Sequence, residues 1–300
     1  MIQYLKVKRL KLESIHFMKI FYTTTTQHLR IALPFEYGKA INTRFSDGEI
    51  FVKIEEDVQS RDVWVIAATP TPADNYFELF LLLDALNRSG AHIHLLMTYF
   101  GYARQDRVQE RESCGAAIIG QFLAQINLTK MVVIHAHSKR LHDYLTFEQY
   151  IPYELFYPIA KRAEVIVAPD AGARELATRI GTTCRRPVVV AEKKRIARDQ
   201  VEILAISGEV TDKKVLIVDD MITTGNTIIQ VSNKLDQLGA RSIEVMATHG
   251  VFAGDANERI NESVIEKVYV TNSLNQVFVG KKVEVIDIAP IISCLVEPPK

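Results

Sequence analysis

The stretch V-L-I-V-D-D-M-I-T-T-G-N-T, residues 215–227, decides how the rest of this chain is read. It opens as an all-apolar run of strand length, Val215 to Val218, and passes into two adjacent carboxylates, Asp219 and Asp220. Thr223, Thr224, Gly225, Asn226 and Thr227 follow, and a helical pattern begins near Ile228. A strand that runs through a short Gly/Thr turn into a helix N-terminus aims several backbone N–H groups at one point, which is a cradle for phosphate. Carboxylates beside such a cradle repel phosphate. They fit a ligand that also carries hydroxyls or a bound cation, as a sugar phosphate with magnesium does. The plainer reading is a tight strand-to-helix turn with an Asp N-cap. The all-apolar strand and the hydroxyl-rich turn weigh against it.

Outward from this segment, Val/Ile-rich runs of strand length recur at residues 63–67, 93–98, 131–135, 165–168, 188–191, 243–247 and 268–270. Helical spacing covers residues 77–87, 116–125, 174–180 and 228–238. Strands apolar on both faces, alternating with helices, predict an α/β fold with mainly parallel sheets. There is also an internal repeat. Residues 84–101 align with residues 233–250 without a gap, and Leu86, Gly90, Ala91, Met97 and Gly101 match Leu235, Gly239, Ala240, Met246 and Gly250. We read this as a duplicated domain. Where the second copy carries D-D-M-I-T-T-G-N-T, the first carries A-T-P-T-P-A-D-N, so sugar-phosphate chemistry is expected in the C-terminal half alone.

At 300 residues the chain is long enough for two domains. Lys plus Arg and Asp plus Glu balance at 36 each, which leaves no net field to draw nucleic acid or an acidic membrane. Cys114, Cys184 and Cys294 have no metal-site spacing and read as reduced thiols of a cytoplasmic protein. No apolar run approaches the length of a membrane span. Residues 1–17 are basic and alternate apolar with cationic side chains, without the core of a secretory signal. They read as an N-terminal extension.

Further segments carry chemistry. R-F-S-D-G-E (residues 44–49) packs acids and an Arg around a turn, alone a weak signal. Y-F-G-Y-A-R-Q-D-R (residues 99–107) follows a strand, where α/β folds bind ligands, and suits a base with attached phosphates. H-A-H-S (residues 135–138) also follows a strand; in extended chain His135 and His137 point to one side and suggest a metal or phosphate contact. A-P-D-A-G-A-R (residues 168–174) repeats the strand–acid–Gly–helix plan, a second anion pocket with Asp170 as cation ligand. The basic run E-K-K-R-I-A-R-D (residues 192–199) has the composition of a solvated loop, able to bring cations to a phosphoryl transition state.

In this order, and with the late V-T-N-S-L (residues 270–274), these segments resemble the ribose-phosphate diphosphokinases over nearly the whole chain. The resemblance implies two tandem, similar phosphoribosyltransferase-like domains: residues 18–150 on the ATP side and 151–284 on the ribose 5-phosphate side, with 285–300 as a tail. It implies transfer of the diphosphoryl group of Mg-ATP to the 1-hydroxyl of ribose 5-phosphate. Asp219 and Asp220 would hold ribose hydroxyls, and Thr223, Thr224, Gly225, Asn226 and Thr227 the 5-phosphate. Arg104 and Gln105 would contact ATP. Phe45, Asp47 and Glu49 would reach the adenine of a neighbouring subunit, hence a homo-oligomer. His137 and Asp170 match magnesium-associated positions, and Lys193 and Arg195 the cations that act at the transition state. Two departures stand out: His135 and Thr223 occupy positions where the family commonly has Asp. Two other readings remain open, a nucleobase phosphoribosyltransferase and a catalytically weak regulatory paralogue. The first has no need of the segment around Arg104.

Overall fold

The computed structural model describes residues 18–30, 32–33, 35–108, 110–197, 200–276 and 280–296, without the side chains of 193–197 and 200–204. The extension, residues 1–17, lies outside them. Contacts divide the chain into two compact units, one from Met1–Tyr150 with Ile288–Lys300 and one from Ile151–Asp287.

In the first unit, β1 (Lys19–Tyr22), β2 (Glu36–Tyr37), β3 (Ala40–Arg44), β4 (Ile50–Ile54) and β5 (Asp62–Ala68) lead into α1 (Asp74–Arg88). Then come β6 (His92–Tyr99), α2 (Gly115–Ala124), β7 (Leu128–Ile134) and β8 (Glu148–Tyr150). The sheet runs β2-β1-β5-β6-β7-β8 with every pair parallel, and β3 and β4 form a separate antiparallel hairpin. α1 forms because Leu79, Leu82, Leu83 and Leu86 recur at helical spacing; they bury against Val63, Val65 and Ala67 of β5. Each such Leu contributes about 2 kcal/mol.

The second unit holds α3 (Tyr153–Ala160), β9 (Val165–Ala168), α4 (Arg174–Cys184), β10 (Val188–Ala197), β11 (Gln200–Ile206), β12 (Lys214–Ile222) and α5 (Asn226–Gln237). It continues through β13 (Ser242–Gly250), α6 (Ala256–Glu262), β14 (Lys267–Thr271) and β15 (Val283–Ile286). Sheet order is β11-β10-β9-β12-β13-β14-β15, and β10–β11 is the one antiparallel pair among them. Val215 and Ile217 pack with Ile228, Val231 and Leu235 of α5. Leu216 and Val218 pack with Phe156, Leu176 and Ile180 of α3 and α4. One strand thus supplies two cores, which is why it reads as continuously apolar. The stretch read as a tail includes the end of β15 and, as part of the first unit, α7 (Ala289–Leu295), started by Pro290 and buried at Ile291 and Ile292.

The repeat is visible in backbone detail. Gly90 and Gly239 end α1 and α5 at φ of 73° and 80°. The next N–H reaches back in both copies, Ala91 to the Leu86 carbonyl at 3.2 Å and Ala240 to the Leu235 carbonyl at 3.0 Å. Among the described residues no helix is long and apolar enough to cross a membrane.

Candidate active site

The second unit carries the cradle at the carboxyl end of β12. The strand does not stop at Val218: Asp219 and Asp220 stay in the ladder, with Asp219 opposite Ala247 and Met221 opposite His249. The turn is therefore only Thr223, Thr224 and Gly225, and α5 starts at Asn226, two residues before the sequence pattern. Gly225 sits at φ 75°, a left-handed conformation that lets the chain reverse into the helix. Val251 and Phe252 N–H donate to the Ile222 carbonyl at 2.9 and 3.1 Å, and Ala253 N–H to the Thr223 carbonyl at 2.8 Å. The cradle is thus braced from below, and the first N–H groups of α5 are left to a ligand.

Carboxylates gather beside this cradle. Asp219 is half-buried, and loss of water around its carboxyl, then the charges of Asp220 and Asp170, push its pKa well above the usual carboxylate range. The Asp220 N–H donates to Asp219 Oδ1 at 2.9 Å. Asp170 accepts from the N–H groups of Gly172 and Ala173 at 2.8 and 3.1 Å. That corrects the reading of residues 168–174 as a second anion pocket, because the chain's own carboxylate takes these two donors. Two features escape a reading of the sequence. Arg259 of α6 donates to the side-chain oxygen of Asn226, bringing a cation to the cradle. Beside it, His249 Nδ1 lies 2.9 Å from Ser273 Oγ, and Thr271 Oγ1 donates to the Thr248 carbonyl at 2.7 Å, all four buried. The hydroxyls of the T-N-S segment are its only trace.

The first unit ties the corresponding strand ends together with its own groups. β1 stands to β5 as β9 stands to β12. β5 ends in the buried Ala67 and Ala68 and carries no carboxylate there. Thr25 and Thr26 donate to the carbonyls of Ala68 and Ile66 at 2.6 and 2.7 Å. The buried carboxylate of Glu78 accepts from Thr24 N–H and Asn42 Nδ2 at 2.5 and 2.6 Å.

Other candidate residues of this unit cluster in three places. Arg104 and Gln105 are exposed on the loop after β6, and Asp106 is buried beneath them. Tyr76 OH donates to the Gly101 carbonyl at 2.8 Å and Ala116 N–H to that of Gln105 at 3.1 Å, fixing both ends of that loop. His135 and His137 do not share a side. β7 ends at Ile134, His135 turns left-handed at φ 44° and is buried, and His137 is exposed. Phe45, Asp47 and Glu49 occupy the exposed tip of the β3–β4 hairpin, where Phe45 is 54% exposed and 5.4 Å from the Phe51 ring. Asp47 accepts from Glu49 N–H at 3.1 Å. In the second unit, the basic run expected to be a loop continues β10 through Ala197 and pairs with β11. The side chains of Lys193 and Arg195 lie outside the described residues.

Comparison with known proteins gives a consistent picture. Residues 18–126 match the N-terminal domain of ribose phosphate pyrophosphokinase, and residues 163–297 match the phosphoribosyl synthetase-associated domain. The chain is 32% identical over 290 residues to a ribose-phosphate pyrophosphokinase of Helicobacter hepaticus, covering 91% of each. It is 32% identical over 295 residues to that of Thermotoga maritima, covering 92% of each. The phosphoribosylpyrophosphate synthetase of Mycobacterium smegmatis superposes with a TM-score of 0.84 at 25% identity, over 93% of this chain and 97% of that one.

Proposed function

The chain belongs to the ribose-phosphate pyrophosphokinase family, and from that premise we propose that it transfers the diphosphoryl group of Mg-ATP to the 1-hydroxyl of ribose 5-phosphate, releasing AMP. The observation that carries this reading is that β12 holds Asp219 and Asp220 in its ladder and runs through the Gly225 turn straight into the N-terminus of α5. Asp219 and Asp220 accept hydrogen bonds from the ribose hydroxyls, and Thr223, Thr224, Gly225, Asn226 and Thr227 bind the 5-phosphate. Arg104 and Gln105 bind the ATP phosphates. Phe45, Asp47 and Glu49 reach the adenine of a neighbouring subunit.

Magnesium suits the donor set. Among the described residues no three His, Cys, Asp or Glu gather to enclose an ion. Asp170, Asp219 and Asp220 nonetheless crowd negative charge into one crevice. Magnesium commonly takes one or two carboxylates and fills its shell with water and substrate phosphate. Asp170 would be the oxygen donor of the second unit, and His137 matches a magnesium-associated position of the first; magnesium would supply charge neutralisation at phosphate oxygens. The protein's own part is positioning and charge. Asp219 and Asp220 orient the sugar, the cradle anchors its far end, and Lys193 and Arg195 bring cations to the developing charge.

The test is AMP formation from ATP, ribose 5-phosphate and magnesium. With no AMP under any magnesium or phosphate condition, the reading fails. His135, buried where the family commonly has Asp, then favours the weak regulatory paralogue. Lys193→Ala should lower kcat by roughly a hundredfold or more while leaving ATP affinity nearly intact. An equal loss of ATP binding would assign Lys193 to the ground state instead.

A further inference from the structure

Asp106 directly follows Gln105, and Ser138 directly follows His137. In the folded first unit these two neighbours are joined. Asp106 is 4% exposed, and its carboxyl is held below the usual range, against the opposing effect of burial, by hydrogen bonds from Ser138 and Arg107. Ser138 Oγ accepts from the Arg140 N–H at 3.1 Å, which leaves its hydroxyl proton free to be donated. The Arg107 contact is longer, 3.4 Å from Nε to Oδ1, and Arg107 is mostly exposed. Tyr144 OH donates to the Asp106 carbonyl at 3.1 Å, and Cys114 Sγ and Ala116 N–H donate to that of Gln105 at 3.2 and 3.1 Å. The side chains of Arg104, Gln105 and His137 remain exposed above this buried joint.

A buried carboxylate that loses its donors is expensive, so the two loops hold their places together or not at all. We propose that Asp106 and Ser138 are positioning residues, a latch that fixes Arg104 and Gln105 to His137 as one rigid body. The nucleotide phosphates and the ion beside them then meet a single preformed surface. This rests on the functional reading above for its meaning, and on the fold alone for its geometry. Neither residue touches substrate.

Two measurements separate those levels. Amide hydrogen exchange on the ligand-free full chain tests the latch without any turnover. Ser138→Ala should speed exchange roughly tenfold in residues 99–108 and 134–140 together, the scale of losing a hydrogen bond to a charged group. Faster exchange in one segment alone, or in neither, overturns the proposal. Steady-state kinetics then test its consequence. Ser138→Ala should raise KM for Mg-ATP and the magnesium concentration for half-maximal rate by roughly tenfold, leaving KM for ribose 5-phosphate unchanged. Asp106→Asn, which keeps an acceptor for Ser138, should restore much of what Asp106→Ala loses. The Asp106→Asn/Ser138→Ala double variant should be no worse than the poorer single one. Equal rises in both KM values, or additive losses, refute the latch. A wild-type protein that forms no AMP refutes the reaction and leaves the exchange result to stand.

Discussion

At Gly101 a side chain has nowhere to go: a Cβ built there would lie 2.0 Å from the Thr69 carbonyl oxygen. Gly101→Ala must therefore separate β5 from the loop that carries Arg104, at a cost of about 3 kcal/mol measured by denaturant unfolding. Asp219 shows the opposite tension. Burial, Asp220 and Asp170 hold its carboxyl above the value it has in the unfolded chain. The unfolded state then binds fewer protons at this group, so its contribution to stability falls as pH rises from the ordinary carboxylate range through the folded value. Asp219→Asn removes that slope. It should raise Tm at neutral pH, with the gain vanishing as pH drops below the unfolded value, while raising KM for ribose 5-phosphate roughly tenfold or more. A lower Tm at neutral pH would mean that the carboxylate is already compensated in the fold.

Elements with a strong local signature are legible from residue order alone. The apolar run at 165–168 coincides with β9 to the residue, and those of β5, β6, α1 and α2 agree to within a few, because apolar spacing by itself defines them. Gly90 and Gly239 are legible too, as helix ends in a repeat. Each Gly→Ala there should cost about 1 kcal/mol, and the two costs should agree because the backbone is the same. Elements defined by a distant partner are not legible. Residues 193–197 have the composition of a solvated loop until β11 pairs with them, since beyond the last β9 partner, at Val190, β10 and β11 continue as a two-stranded ribbon. The apolar pattern of β12 stops at Val218 because charged residues seldom continue a buried strand; the ladder to β13 carries it through Asp220. The same limit explains His135, whose left-handed φ breaks the alternation of an extended chain. The residue types of the candidate site are visible in sequence, whereas the supports of Arg259, Ser273 and Ser138 join segments far apart in the chain.

For the molecule as a whole, balanced charge means that no net repulsion opposes self-association. Phe77 and Phe122 are 63% and 57% exposed on α1 and α2, Ile118 is also exposed, and Phe80 stacks on Phe122 at 5.3 Å. This apolar surface suits a homo-oligomer, and Phe122→Glu should shift sedimentation toward smaller species without lowering Tm. Unchanged sedimentation would remove the patch from the assembly surface. The two units bear on a different quantity. A duplicated fold ordinarily doubles its ligand capacity, yet here only one copy carries carboxylates at the end of its strand, the other ending in Ala67 and Ala68. Titration with ribose 5-phosphate should therefore saturate at one equivalent per chain, whatever the size of the assembly, with no weaker second phase in the isotherm.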